Sequence, residues 1–293
     1  MKYRITHTTA YRYSEPASLS QNELFLIPRA TACQTVLESS LTFVPEPQYL
    51  HRRLDYFGNI AHVFMVQQPH KELAMTATSI VTTGPAHLPA VSRTLPWEMA
   101  VERLATHRLP GEQDAYQFVF PSPLITTSQG VLAYALQSFP PARPLLSGAV
   151  DLIGRIFREF TYDKSASTVD TSVEQILAGR KGVCQDFSHF AISCLRSLGF
   201  AARYVSGYLE TLPPPGKPKL VGTDASHAWI SLYVPDCGWV DLDPTNNIFP
   251  GEAHITLAWG RDYSDVAPVK GVVMGGGRHT LSVVVDVSPL ALQ

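Results

Sequence analysis

One of the four cysteines in this 293-residue chain stands where a thiol can be made reactive. Cys184 follows Lys181-Gly182-Val183. It opens an apolar stripe of Phe187, Phe190, Ala191, Cys194, Leu195 and Leu198 that ends at Gly199. Recurrence at three and four residues predicts a helix with Cys184 where it begins. A thiol attacks only as its thiolate, and the free N–H groups and dipole of a helix N-terminus stabilise that anion. Cys194 lies on the stripe itself and is expected in the core. Cys237 falls in the turn Pro235-Asp236-Cys237-Gly238, and Cys33 in a strand-rich region. With no C-x-x-C pair and no tight Cys/His spacing, neither a disulfide framework nor a metal site is expected.

A nucleophilic thiol needs a base, and Ser226-His227-Ala228-Trp229 offers one. Ala228, Ile230, Leu232 and Val234 form one face of a predicted strand, which puts His227 and Trp229 on the other. A carboxylate beside the imidazole would fix its tautomer and stabilise its charged form. Asp241 and Asp243, in Trp239-Val240-Asp241-Leu242-Asp243, share a parity, so spacing leaves both open. Asp236 is read as a turn residue. Opposed residues of a hairpin share a face. A four-residue turn over 235–238 would pair Val234 with Trp239 and set His227 and Asp243 on opposite faces. A three- or five-residue connection, or a bulge at Gly238, is therefore expected.

These residues need a scaffold, and the chain divides by period. Residues 1–83 alternate as strands, with Tyr3, Ile5, His7, Thr9, Tyr11 and Tyr13 on one face, and predict an all-β N-terminal domain. The stretch 84–144 opens with three prolines and a glycine and reads as a linker and helical connection, with a helix near Thr126–Gln137. From 145 to 293 the order is helices, then strands. Ala149, Leu152, Ile153, Ile156, Phe157 and Phe160 mark a first helix, and Thr171-x-x-Glu174 a capping box before a second. After the cysteine helix come strand patterns at 201–209, 227–234, 239–242, 271–274 and 280–287. Helices followed by consecutive strands predict an α+β catalytic core with an antiparallel sheet.

Composition excludes other classes. The formal net charge is −2, which gives no electrostatic case for nucleic acid or an anionic membrane. No apolar run reaches the roughly 18–20 residues of a membrane span. The first residues alternate as a strand and contain no apolar signal-peptide segment, so a cytoplasmic protein is expected.

Taken in order, Gly182-Val183-Cys184-Gln185-Asp186-Phe187, Arg203-Tyr204-Val205-Ser206-Gly207-Tyr208, Ser226-His227-Ala228-Trp229 and Asp243-Pro244-Thr245-Asn246 resemble the bacterial transglutaminase-like superfamily. Gly260-Arg261-Asp262-Tyr263 and the strand-rich start resemble the branch with its own N-terminal β domain. The resemblance implies a papain-like core, with a helix-borne cysteine packed on an antiparallel sheet. It also implies a triad of Cys184, His227 and Asp243, which decides for Asp243 over Asp241. It does not imply calcium dependence, and Gln185 stands where animal members have tryptophan. The expected chemistry is acyl transfer from peptide or carboxamide bonds, with hydrolysis favoured and a primary amine as the other acceptor; no cofactor is required. Tyr162, Gln185 and Trp229 are the candidates for oxyanion or substrate contacts, and the proline-rich segment 211–223 for a substrate rim. A catalytically silent scaffold on the same fold is the alternative.

Overall fold

The computed structural model describes residues 1–211 and 225–291. Beyond Thr211, the segment expected as a substrate rim lies outside the described residues. Five strands come first: β1 (Lys2–Leu24), β2 (Gln34–Val44), β3 (Tyr49–Leu54), β4 (Ile60–Val66) and β5 (His70–Thr83). Their order is β2-β5-β1-β4-β3, all antiparallel. The alternation seen in the sequence has a physical cause. Tyr3, Ile5, His7 and Thr9 are buried on one face of β1, and a two-residue period leaves the intervening side chains on the other.

Helices α1 (Trp97–Thr106), α2 (Pro110–Tyr116), α3 (Gln129–Leu136) and α4 (Leu145–Glu159) follow, then a short strand β6 (Thr161–Tyr162), α5 (Val173–Gly179) and β7 (Lys181–Gly182). The helical part of the stretch 84–144 packs inward: Ala100, Ile125, Val131, Tyr134 and Phe139 are buried in the same core as the cysteine helix. Helix α5 is capped by Ser172 with Gln175, one residue beyond the expected box. Both tetrads fit the pattern, and the Thr171 hydroxyl instead accepts from the Thr168 N–H. Phe157, expected on the buried stripe of α4, is half exposed.

Helix α6 (Cys184–Ser197) is buried along nearly its whole length, from Asp186 to Arg196. It packs on an antiparallel sheet of order β10-β9-β8-β11, formed by β8 (Ala202–Leu209), β9 (Ala225–Val234), β10 (Gly238–Leu242) and β11 (His254–Gly260). Ala228, Ile230, Leu232 and Val234 of β9 share one core with Phe187, Phe190 and Leu195 of the helix. This is the α+β arrangement expected. The short α7 (Tyr263–Val266) comes after β11. Among the described residues no helix is long and apolar enough to cross a membrane.

Chain order assigns the last strands to the catalytic sheet, but the structure does not. β12 (Val269–Gly275) and β13 (His279–Pro289) pair with β1 and complete a seven-stranded sheet. β1 is 23 residues long, and its two halves need neighbours on both edges. The catalytic sheet meanwhile obtains its edge protection elsewhere. The side-chain amide of Gln34 accepts from Thr256 N–H at 2.9 Å and donates to Thr256 C=O at 2.8 Å. Asn59 does the same for Trp259, at 3.0 and 2.8 Å. Two amides from the N-terminal domain thus take the place of a fifth strand along β11.

Removing the Gln34 amide would leave the Thr256 N–H without a partner, while its C=O keeps a bond from the Arg29 N–H at 3.4 Å. Gln34→Ala should therefore cost about 1–3 kcal/mol, the loss of one buried donor's partner. Urea unfolding measures this, and a change below about 0.5 kcal/mol, the size of an ordinary surface substitution, would count against the amide clasp.

Candidate active site

Three backbone devices place the thiol. Lys181–Gly182 pairs in parallel with Thr161–Tyr162, so the chain reaches α6 along a fixed line. Val183 is the N-cap, and the Asp186 carboxylate accepts its N–H at 2.7 Å and the Ser167 hydroxyl. Gly182 has no alternative here, because a Cβ would stand 2.6 Å from Asp186 Oδ2. As the first residue of the helix, Cys184 keeps a backbone N–H with no intrahelical acceptor. The thiol is partly exposed.

The hairpin carrying the base has a three-residue connection. Gly238 pairs with Val234, and Asp236 and Gly238 both take positive φ, at 66° and 82°. The register puts Trp239, Asp241 and Asp243 on the face of β9 that bears His227, as the parity argument requires. β10 pairs with β9 only as far as Leu242 opposite Ile230, leaving the His227 end of β9 without a neighbour on that side. Asp243 closes this end through a bridge to Ile248.

His227 Nε2 donates to Asp243 Oδ2 at 2.7 Å, and Cys184 lies near enough to His227 to favour its charged form. Since Nε2 is engaged by the carboxylate, Nδ1 is the nitrogen left for the thiol. Burial opposes charge on His227, but the hydrogen bonds and charges of Asp243 and Cys184 outweigh it and raise the imidazole to about 10. Asp243 is fully buried. Burial works against its ionisation too, yet hydrogen bonds from His227, His254 and Asn246 hold it well below the usual carboxylate range.

Two of those donors carry no signal that spacing rules detect. Asn246 Nδ2 donates to Asp243 Oδ2 at 2.7 Å, while the N–H groups of Thr245 and Asn246 reach Oδ1 at 2.9 and 3.1 Å. Asn246 closes the D-P-T-N motif, and the turn explains it: the carboxylate caps the chain that follows. His254 lies on the next strand. Gly251 N–H points to its Nδ1 at 3.4 Å, which leaves Nε2 to donate to Asp243 Oδ2 at 3.2 Å.

The weaker site candidates separate. Tyr162 is half exposed beside the nucleophile, its ring edge-on to Phe187 at 6.3 Å. Burial first, then the neighbouring Cys184 and Asp186 charges, raise its pKa, so its hydroxyl keeps its proton for donation. Gln185 is turned elsewhere and donates to Val169 C=O at 3.3 Å, as a 100° step round the helix from Cys184 demands. Trp229 is fully buried and spends its N–H on Asp241 Oδ2 at 3.1 Å. It is not a substrate contact but a wall, edge-on to His254 at 5.3 Å and 6.0 Å from the His227 ring. Asp241 is thereby used, which separates it from Asp243. His189 is buried, held neutral chiefly by burial, and accepts from Tyr263 N–H at 3.2 Å. Arg261 pairs with Asp265, and Asp262 binds Leu124 N–H and caps α7.

His227, Asp243 and His254 bring ligand-capable atoms within 4.8 Å of one another. No sequence spacing announced this set, because its members come from three separate segments. Zinc ligands at 2.0–2.1 Å from a tetrahedral ion stand roughly 3.3 Å apart. The 2.7 Å separation of His227 and Asp243 is that of a hydrogen bond.

The chain is similar to several known proteins. Residues 3–82 match the bacterial transglutaminase-like N-terminal region, and residues 134–244 the transglutaminase-like superfamily. An uncharacterized protein of Mycobacterium tuberculosis is 40% identical over 98% of this chain and 93% of its own length. A protein-glutamine gamma-glutamyltransferase of Pseudomonas aeruginosa is 32% identical over 31% of this chain, but only 14% of that protein. A crystal structure from Cytophaga hutchinsonii, named a "putative cysteine protease", superposes with a TM-score of 0.78 over 100% of this chain and 92% of that one, at 22% identity.

The His227 ring should titrate near 10 by NMR, against about 6.5 for an ordinary histidine. A folded-state value above the unfolded one means that the contact stabilises fully below about pH 6.5, and that this is lost as pH rises through about 10. In Cys184→Ala, where the thiol adds no titration and only the Asp243 contact raises the imidazole, Tm should fall from about pH 6.5 upward over a narrower interval. Asp243→Asn in the same background should flatten the fall; a ring titrating near 6.5 would refute the strong His227–Asp243 coupling.

Proposed function

We propose that this chain, which belongs to the transglutaminase-like superfamily and carries its bacterial N-terminal region, is a thiol-dependent acyl-transfer enzyme that cleaves peptide or carboxamide bonds. The observation that carries the reading is a buried His227–Asp243 hydrogen bond beside Cys184, whose thiol stands at the N-terminus of a buried helix. Cys184 Sγ, as thiolate, would add to the substrate carbonyl carbon. The resulting oxyanion would meet the Cys184 N–H, with the Tyr162 hydroxyl as a second donor. Collapse breaks the C–N bond, and the His227 imidazolium gives its proton to the departing amine. Water, deprotonated by the now neutral His227, then adds to the thioester. The C–S bond breaks, the acid leaves, and the thiolate–imidazolium pair is restored.

Water is the favoured acceptor because no second site for an amine accompanies the triad among the described residues. A peptide or protein is the proposed substrate, and a primary amine the alternative acceptor. The intact set Cys184, His227 and Asp243 argues against a silent scaffold.

The test has two parts. Alkylation of Cys184 by iodoacetamide should stay fast at pH 6–7, well below the roughly 8.5 of an ordinary thiol, and His227→Ala should remove that advantage. Hydrolysis of a fluorescent casein should fall by at least about 10³ in Cys184→Ala and His227→Ala, and by about 10²–10⁴ in Asp243→Asn. Incorporation of dansylcadaverine into casein reports the amine branch. If alkylation has the same pH profile with and without His227, and neither casein assay responds to Cys184→Ala, the reading is wrong.

A further inference from the structure

The face of the catalytic sheet that carries His227 and Asp243 does not end in solvent. Beyond Trp229 it borders a cleft of about 410 Å³, lined on the far side by residues 31–34 and Thr83 of the N-terminal domain and by Gly84, Ala86, His87 and Leu88 just after it. Cys184 does not line it. The sheet contributes Arg203, Trp229, Trp239, Asp241, His254 and Trp259, so Trp229 and His254 form the wall between this cavity and the triad. Junctions between domains are where ligand cavities of this size concentrate.

Arg203 is the feature that needs an explanation. It is 8% exposed, and its guanidinium carbon sits 3.7 Å from the Trp259 ring centroid and 4.1 Å from that of Trp239. The indoles cover its faces. Its edge, where all five N–H groups point, makes no hydrogen bond or ion pair among the described residues, and Nε is buried and unsatisfied. Burial draws the guanidinium down to about 9, with Asp241 acting in the opposite direction. An unpaired cation in the interior is costly, and every other buried charge described above, Asp186, Asp243 and Asp262, has partners. Arg203 is stacked and aimed, and lacks only an acceptor.

The lining limits what that acceptor can be. Arg203 is the one Lys or Arg among the lining residues, and Asp241 contributes a negative charge nearby. A phosphate dianion would face one cation and one carboxylate; a monoanion with a planar pair of oxygens matches the guanidinium fork. Trp259 is covered on its faces by Arg203 and by Arg29, whose guanidinium carbon is 3.2 Å from the ring centroid. Trp229 is fully buried, so the rest of the ligand meets the edge of Trp259 and the partly exposed Trp239.

We propose that this cavity is a binding site, separate from the cysteine, for an organic carboxylate bearing an aromatic or flat apolar group. The carboxylate pairs in plane with the edge of Arg203, and its apolar part lies along Trp239 and the edge of Trp259. A free small acid and the C-terminal residue of a peptide share this chemistry.

Three of the four tryptophans of the chain line the cavity, so intrinsic fluorescence reports its occupancy directly. Phenylacetate is the probe for a small acid and Gly-Gly-Phe for a peptide end, each titrated against its own amide. At least one acid should quench saturably, and its amide should bind at least tenfold more weakly, since it cannot form the charge-assisted pair. Which acid binds better identifies the source. Arg203→Met should lose the difference between acid and amide while Tm is unchanged or raised, because an unpaired buried charge has been removed. Arg203→Lys should keep less than a tenth of the affinity, having charge without the fork. The proposal is overturned if no acid quenches saturably up to about 10 mM, a bound near 3 kcal/mol, if acid and amide bind alike, or if Arg203→Met leaves acid binding intact. None of these readings uses the thiol, so they stand or fall independently of catalysis.

Discussion

A single carboxylate removed from water organises the site. Asp243 has no exposed surface, and an isolated ion in such a place would neutralise itself by taking up a proton. It stays charged because five donors converge on it: two imidazoles, one side-chain amide and two backbone N–H groups. The consequence runs outward. A fixed anion holds the proton on His227, and a charged His227 favours a thiolate at Cys184. Three successive segments must keep register for this to work. The hairpin β9–β10 is set by its three-residue turn, Asn246 by the turn after Asp243, and His254 by β11, whose outer edge is held by Gln34 and Asn59. The N-terminal domain is therefore part of the machinery that positions the charge, although it supplies no reacting group.

Much of this was legible because it depends on local periodicity. The apolar stripe after Cys184 gave the helix and its start, and alternation in β1 and β9 gave their faces. Parity excluded a regular four-residue β9–β10 connection, since opposed residues must share a face whatever the sequence between them. It left three or five residues or a bulge, of which the fold takes three. What was not legible depends on contacts between distant segments. Gln34, Asn59 and His254 look like ordinary strand or turn residues; only the fold brings an amide against an edge strand or a second imidazole against Asp243. The capping box slipped by one residue because Thr171 and Ser172 both satisfy the pattern. β12 and β13 were assigned by chain order to the wrong sheet, since strand periodicity says which face is buried but not which neighbour pairs.

The second face of the catalytic sheet is partly interior as well. Trp229, expected as a substrate or oxyanion contact, is fully buried there and Arg203 nearly so, because the N-terminal domain covers part of it. Aromatic and charged residues on that face are interior residues of a junction. This explains why a tryptophan beside the base is a wall, and why a guanidinium can lie stacked and unpaired a short distance from the triad.

The pairing of β1 with β13 carries a consequence for the life of the molecule before it is folded. Tyr3 to Tyr13 lie against residues 279–289, so during synthesis β1 waits for a strand far later in the chain. Until residues 269–289 emerge, β1 lacks neighbours along one whole edge, and the domain that clasps β11 is incomplete. The contacts that hold His254, and through it Asp243, are secured only after that. A growing chain thus carries its cysteine through synthesis without the finished surroundings that would make it a nucleophile, and reactivity waits for β12 and β13 to pair.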